Sequence, residues 1–239
     1  MRVHYIKVEE WPADKPLGRS TIGGAPVLAP DQAWPKCRLC KERMILFFQF
    51  DLKEQFDLPL KTGSHLLVFM CPVHNDEPTD ISGELDRKLP DDYWQKDYGH
   101  FAVILNRPLK EERVLEQEPC IVPKAIKFGK TQEEDIRWDG RVEVGTEGFK
   151  IGGVPAWLET PVSYDCFCGA EMILLCQVPE RFAFPRGKAG PIQKETISKD
   201  VYLLMSGKQL FIMTCKDQCT PRSLYVVAQQ SAQEGEESA

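Results

Sequence analysis

Thr21-Ile-Gly-Gly-Ala-Pro26 and Lys150-Ile-Gly-Gly-Val-Pro155 are two copies of one phrase, and the text that follows each copy keeps the same order. After the first come Cys37-Arg-Leu-Cys40 and Met44-Ile-Leu-Phe-Phe-Gln49. After the second come Cys166-Phe-Cys168 and Met172-Ile-Leu-Leu-Cys-Gln177. Each half then reaches a glycine, an apolar run and a further cysteine: Gly63 to Cys71 in one, Gly207 to Cys215 in the other. The spacing is tight. Ile22 and Ile151 lie 129 residues apart, Met44 and Met172 lie 128 apart, and Gly63 and Gly207 lie 144 apart. The chain therefore contains itself twice, with one small length change at the first cysteine pair and a larger one in the loop 179–200.

The repeated runs set the fold class. Met44 to Phe50, His65 to Met70, Phe101 to Leu105, Met172 to Val178 and Leu210 to Met213 are short and apolar, bounded by Gly, Pro or charge. This predicts strands, several buried on both faces. The expected fold is mostly β (α+β): two related β-sheet halves, 1–118 and 119–228, each with a cysteine-rich metal cluster. A polar tail at 229–239 is expected to be disordered. Arg107 to Gln117, with charges at helical spacing, is the one helix expected. Ser206-Gly207 predicts a hairpin between Tyr202-Leu-Leu-Met205 and the strand that begins at Gln209.

The chain has 239 residues, 42% hydrophobic and 28% charged, as in ordinary soluble proteins. Its net charge of -6 disfavours nucleic acid as a partner. Met1 to Glu10 lacks the apolar core of a signal peptide, and no apolar run approaches the roughly 18 residues of a membrane span. A cytoplasmic location without membrane contact is expected. Thiols stay reduced there, so nine cysteines require an explanation other than disulfides.

Cys37-x-x-Cys40 precedes one strand and Cys71-Pro-Val-His74 follows another. If the two strands run antiparallel, both pairs meet at one end of the sheet and supply four ligands for a zinc ion. Cys166-x-Cys168 and Cys215-Lys-Asp-Gln-Cys219 occupy the same places in the second half. Free thiols in the first set, and a degenerate, unmetallated copy in the second, are the alternatives. Closed, thiolate-rich coordination points to one or two structural Zn2+ ions rather than a catalytic one. Cys120 and Cys176 stand outside these spacings, and Cys176, inside an apolar strand, reads as core packing.

Signals of an enzyme are sparse. There is no H-E-x-x-H, G-x-S-x-G or G-x-G-x-x-G. His100 could pair with Asp92 or Asp97 as an acid/base couple, against the plainer reading of a loop with anchoring aromatics. Arg186 to Lys199 reads as a solvated basic loop. Asp91, Asp92, Tyr93 and Trp94 join negative charge to aromatic anchors and form the candidate partner-binding patch, or else a loop whose Trp94 packs inward.

The landmarks Ile-Gly-Gly-x-Pro, Met-Ile-Leu-x-x-Gln and Leu-x-x-Gly together resemble the bacterial YwqG-like family, a domain of unknown function. The second half, from Lys150-Ile-Gly-Gly-Val-Pro-Ala-Trp157 to Cys219, also resembles the eukaryotic programmed-cell-death-protein-two family, with Cys166-x-Cys168 departing from its Cys-x-x-Cys. The first resemblance implies a duplicated β fold with no assigned activity. The second implies a dedicated chaperone that shields a protein client. In a bacterium, an acidic protein of this kind would also suit an immunity role against a basic toxin. The expected function is a non-enzymatic, zinc-stabilised module that binds a toxin or a client protein. A zinc-dependent or acid/base enzyme, and a nucleic-acid-binding zinc module, are the alternatives.

Overall fold

The computed structural model describes residues 1–12, 16, 18–75, 99–117, 119–140, 142–194 and 196–232. The chain is nearly all β. Its main sheet is built from β1 (Arg2–Glu10), β2 (Thr21–Ile22), β3 (Ile45–Asp51), β4 (His65–Met70), β5 (Phe101–Asn106), β6 (Lys124–Phe128), β7 (Gln132–Glu133), β8 (Lys150–Gly152), β9 (Met172–Val178), β10 (Gln209–Cys215) and β11 (Leu224–Gln229). Their order is β11-β10-β9-β8-β1-β6-β2-β3-β4-β5, with β7 also beside β1. The sheet curls almost into a closed ring: beside its two ends, the Leu105 N–H in β5 donates to the Pro221 carbonyl just ahead of β11, at 2.8 Å. No helix among the described residues is long and apolar enough to cross a membrane.

The duplication is visible strand by strand. β2-β3-β4-β5 repeats as β8-β9-β10-β11. The β3–β4 register slips between Leu46 and Phe48, and the β9–β10 register slips between Leu174 and Cys176, at equivalent positions. Each glutamine that closes a Met-Ile-Leu-x-x-Gln run is fully buried and clips the Gly-Gly-x-Pro loop of its own half. Gln49 Oε1 accepts the Val27 N–H at 3.1 Å while its Nε2 donates to the Ala25 carbonyl at 2.7 Å. Gln177 Oε1 accepts the Ala156 N–H at 3.0 Å, and its Nε2 donates to the Thr146 and Gly148 carbonyls. The loop needs the clip because Gly23, Gly24, Gly152 and Gly153 all take left-handed φ, which carries the chain away from the ladder. A buried backbone donor without a partner would cost about 1–3 kcal/mol.

The halves interlock rather than sit side by side. β1 belongs to the first half by sequence but pairs with β8 of the second, with Val3 opposite Gly152 and Tyr5 opposite Lys150. β6 opens the second half and pairs with β2 of the first, with Ile22 opposite Lys124. Each half lends its first strand to the other. The larger of the two apolar clusters follows suit and is drawn from both halves. Within it Phe47 meets Phe184 edge-on, with centroids 4.9 Å apart, and Phe48 meets Phe149 at 5.4 Å.

Three sequence expectations are corrected. The helix expected over Arg107 to Gln117 is absent: Arg113–Val114 instead pairs with Val27–Leu28, and Leu115 N–H donates to the Pro26 carbonyl. Charges at helical spacing had no apolar face to bury, for Leu109 and Val114 are exposed, so backbone pairing with the first loop prevailed. The hairpin expected at Ser206-Gly207 is a 3-10 turn over Met205–Gly207, with Met205, Ser206 and Gly207 at positive φ. Tyr202 is drawn away to pair with Phe184, and buried Gln193 holds both the N–H and the carbonyl of Leu203. Gln229, assigned to the tail by composition, is the last residue of β11. It is buried, and its Oε1 accepts the Leu158 N–H. Residues 233–239 of that tail lie outside the described residues.

Candidate metal centres

β3 and β4 run antiparallel with Ile45 opposite Met70, so the chain before β3 and the chain after β4 emerge at the same end of the sheet. The first pair sits in a tight turn. Cys37 N–H donates to the Glu42 carbonyl at 2.8 Å, and Lys41 N–H donates back to the Cys37 carbonyl at 2.9 Å. Lys41 takes φ 67°, the left-handed conformation that turns the chain back into β3. On the other segment Cys71 N–H donates to the His100 carbonyl, which fixes the start of Cys71-Pro-Val-His74.

The four side chains converge. His74 Nδ1 lies 3.5 Å from both Cys37 Sγ and Cys71 Sγ, and Cys40 Sγ lies 3.7 Å from Cys71 Sγ. A tetrahedral zinc with bonds of about 2.3 Å to sulfur and 2.0 Å to nitrogen has S–S edges of about 3.8 Å and S–N edges of about 3.5 Å. The observed spacings are those edges. They are far from the roughly 2.05 Å of a disulfide.

The second set repeats the arrangement on β9 and β10, where Met172 lies opposite Cys215. Cys166 Sγ is 3.5 Å from Cys219 Sγ, and Cys168 Sγ is 3.6 Å from Cys215 Sγ. The shorter Cys166-x-Cys168 turn is closed by Cys166 N–H to the Ala170 carbonyl and Gly169 N–H to the Cys166 carbonyl. Gly169, at φ 89°, fills the place that Lys41 fills in the first turn. Among the described residues two groups could therefore hold a metal ion: Cys37, Cys40, Cys71 and His74, and Cys166, Cys168, Cys215 and Cys219. The ligand atoms of each lie within 4.8 Å of one another. All eight ligands expected from spacing come together as two sets of four.

The thiols differ in depth. Burial pushes Cys71 up to about 12 and also raises Cys166 and Cys215. Burial opposes ionisation of the shallower Cys40 and Cys168 as well. There, hydrogen bonds at the backbone of Glu42 and Ala170, with help from neighbouring thiols, outweigh it and bring both below the ordinary thiol range. Cys71, Cys166 and Cys215 resist ionisation on their own, and a divalent cation held there would supply the charge that makes them thiolates.

The remaining candidates fall outside these sets. Cys176 is fully buried in the core, where burial raises its thiol, and half-buried Cys120 packs against the same core. His65 is 2% exposed, and both ring nitrogens are committed: Nδ1 lies 2.8 Å from Asp51 Oδ1 and Nε2 lies 3.1 Å from Gln49 Oε1. No nitrogen is left there for a substrate. His100 is buried and packs edge-on against Phe101. Asp92 and Asp97, its expected partners, lie outside the described residues, as do Asp91, Tyr93 and Trp94 of the candidate binding patch.

Sequence reasoning missed a buried ion pair. Lys150 Nζ donates to Glu134 Oε1 and to the Val154 carbonyl, and Glu134 also accepts the N–H groups of Thr146 and Val154. Thr21 stands where Lys150 would fall in the first half, so comparing the halves position by position would have flagged it. No family model matches the chain, and no curated protein sequence matches it.

Proposed function

We propose that this protein is a non-enzymatic protein-binding module, stabilised by zinc at both clusters, that serves as an immunity protein or a client-specific chaperone. The observation that carries the reading is the composition of the two sets. Each offers four ligand atoms within 4.8 Å of one another, seven of the eight are thiols, and zinc held by all four keeps no position for a reacting water. Such ions clamp loop ends, and their binding free energy is folding free energy. An acid/base enzyme gains no support from His65, whose nitrogens are spent within the fold. The test is purification of the protein from its native cells and identification of what accompanies it. A stoichiometric protein partner is expected, with affinity unchanged by loss of any histidine outside the clusters. A catalytic turnover that survives purification and disappears in a folded His100→Ala variant would place the protein among enzymes.

A further inference from the structure

Each metal-ligating turn reaches across to the other half of the molecule. Within the Cys215–Cys219 turn, Gln218 is 4% exposed and spans the gap. Its Oε1 accepts the Lys61 N–H at 2.9 Å, and its Nε2 donates to Ser64 Oγ at 3.0 Å. Beside it the Asp217 carbonyl accepts Arg107 Nη2 at 2.7 Å, and the Pro221 carbonyl accepts the Leu105 N–H. The other turn returns the contact: Ser206 Oγ donates to the carbonyl of Asn75, next to His74. Gly63 and Gly207 are equivalent positions, so each metal turn abuts the glycine turn of the opposite half. These contacts close the sheet on the side away from the exchanged strands.

The two clasps are unequal. Cys168 and Cys219 are exposed, whereas no ligand of the first set is. The second set also carries the tighter one-residue spacing, and Gln218 holds a left-handed φ of 46° that a free chain would rarely keep. Three polar contacts between the halves hang on this turn, and the Pro221–Leu105 contact lies two residues beyond it.

We propose that the second cluster is a metal-responsive clasp. A soft divalent cation such as zinc at Cys166, Cys168, Cys215 and Cys219 fixes the turn that presents Gln218 to Lys61 and Ser64. Loss of that ion frees the seam between β5 and β11 while the first centre and the exchanged strands stay in place. The inference rests on the metal reading above and adds a graded response to it. The exposed second ion leaves first, and the sheet opens at one edge rather than unfolding.

The experiment is stepwise withdrawal of zinc from the full-length, metal-loaded chain with EDTA. Released zinc is counted with a chromogenic chelator, and amide hydrogen exchange is followed in parallel. The first equivalent to leave should raise exchange about tenfold or more in peptides covering Lys61 to Ser64 and Leu105. Peptides covering Cys37 to Arg43 should stay protected, and added zinc should reverse the change. Gln218→Ala should loosen Lys61 and Ser64 with both ions still bound. A chain carrying two ions whose seam is unmoved by loss of the first, or which unfolds globally at that step, overturns the clasp alone. A chain that binds no metal overturns the clasp and the metal reading together.

Discussion

Lys7 and Lys127 stand opposite one another in the β1–β6 pair, and the two halves are related about that point. Ile6 faces Phe128 on one side of it, and Val8 faces Ile126 on the other. A shift of 120 residues carries His4-Tyr5-Ile6-Lys7-Val8 onto Lys124-Ala125-Ile126-Lys127-Phe128, so the two pairings are one relation read from either half. This is the arrangement of a strand-exchanged pair written into a single chain.

Interlocked halves should survive a cut between them. Cleaving the full chain at an engineered protease site between the exposed residues Lys110 and Glu111 should give two fragments that elute together and melt in one transition. Fragments that separate under native conditions would mean that the β1–β8 and β6–β2 pairings hold too little of the stability.

The glutamine clips should each carry a measurable share. Gln177→Leu leaves the Ala156 N–H and two carbonyls without their partner, and should cost about 2–4 kcal/mol in urea unfolding. Gln49→Leu should cost a similar amount, and the two losses should add because the sites lie in different halves. A loss below about 0.5 kcal/mol from either would remove the clip from the account.

Much of this was legible in the residues. The repeat, the strands β3, β4 and β9, and the two sets of four ligands follow from local spacing alone, since antiparallel pairing of two similar runs forces their flanks together. The exchange of β1 and β6 was not read, because His4 to Val8 and Lys124 to Phe128 share only Ile and Lys in register. The segment 107–117 misled for a different reason. Its charges mimic a helix, yet its backbone is claimed by Val27 and Leu28, which lie 87 and 85 residues from their partners Val114 and Arg113.

Acid should reveal the Asp51 network. Burial disfavours its carboxylate, but hydrogen bonds from His65 and Arg19 outweigh that and lower it from 3.8 to about 2. A carboxyl depressed in the folded state adds stability that is present above about 3.8 and fades as pH falls toward 2. Allowing for partial exposure, Asp51→Asn should cost about 1–2 kcal/mol at pH 6. It should also flatten the decline of stability between pH 4 and 2. Parallel curves for parent and variant would contradict the network.

The cysteines should divide by role. Cys40→Ser should remove one ion per chain and lower the melting temperature sharply, as structural metal sites require. Cys176→Ala should keep both ions and cost about 1 kcal/mol of packing. A Cys40→Ser chain that melts like its parent would show that the first cluster holds no structural ion.

The count of metal ions in freshly prepared, unchelated protein tests the account most directly. Native mass spectrometry with elemental analysis should find two zinc ions per chain, falling to one in Cys71→Ser and in Cys215→Ser and to none when both are changed. Protein that is folded, free of zinc and indifferent to those substitutions would contradict it.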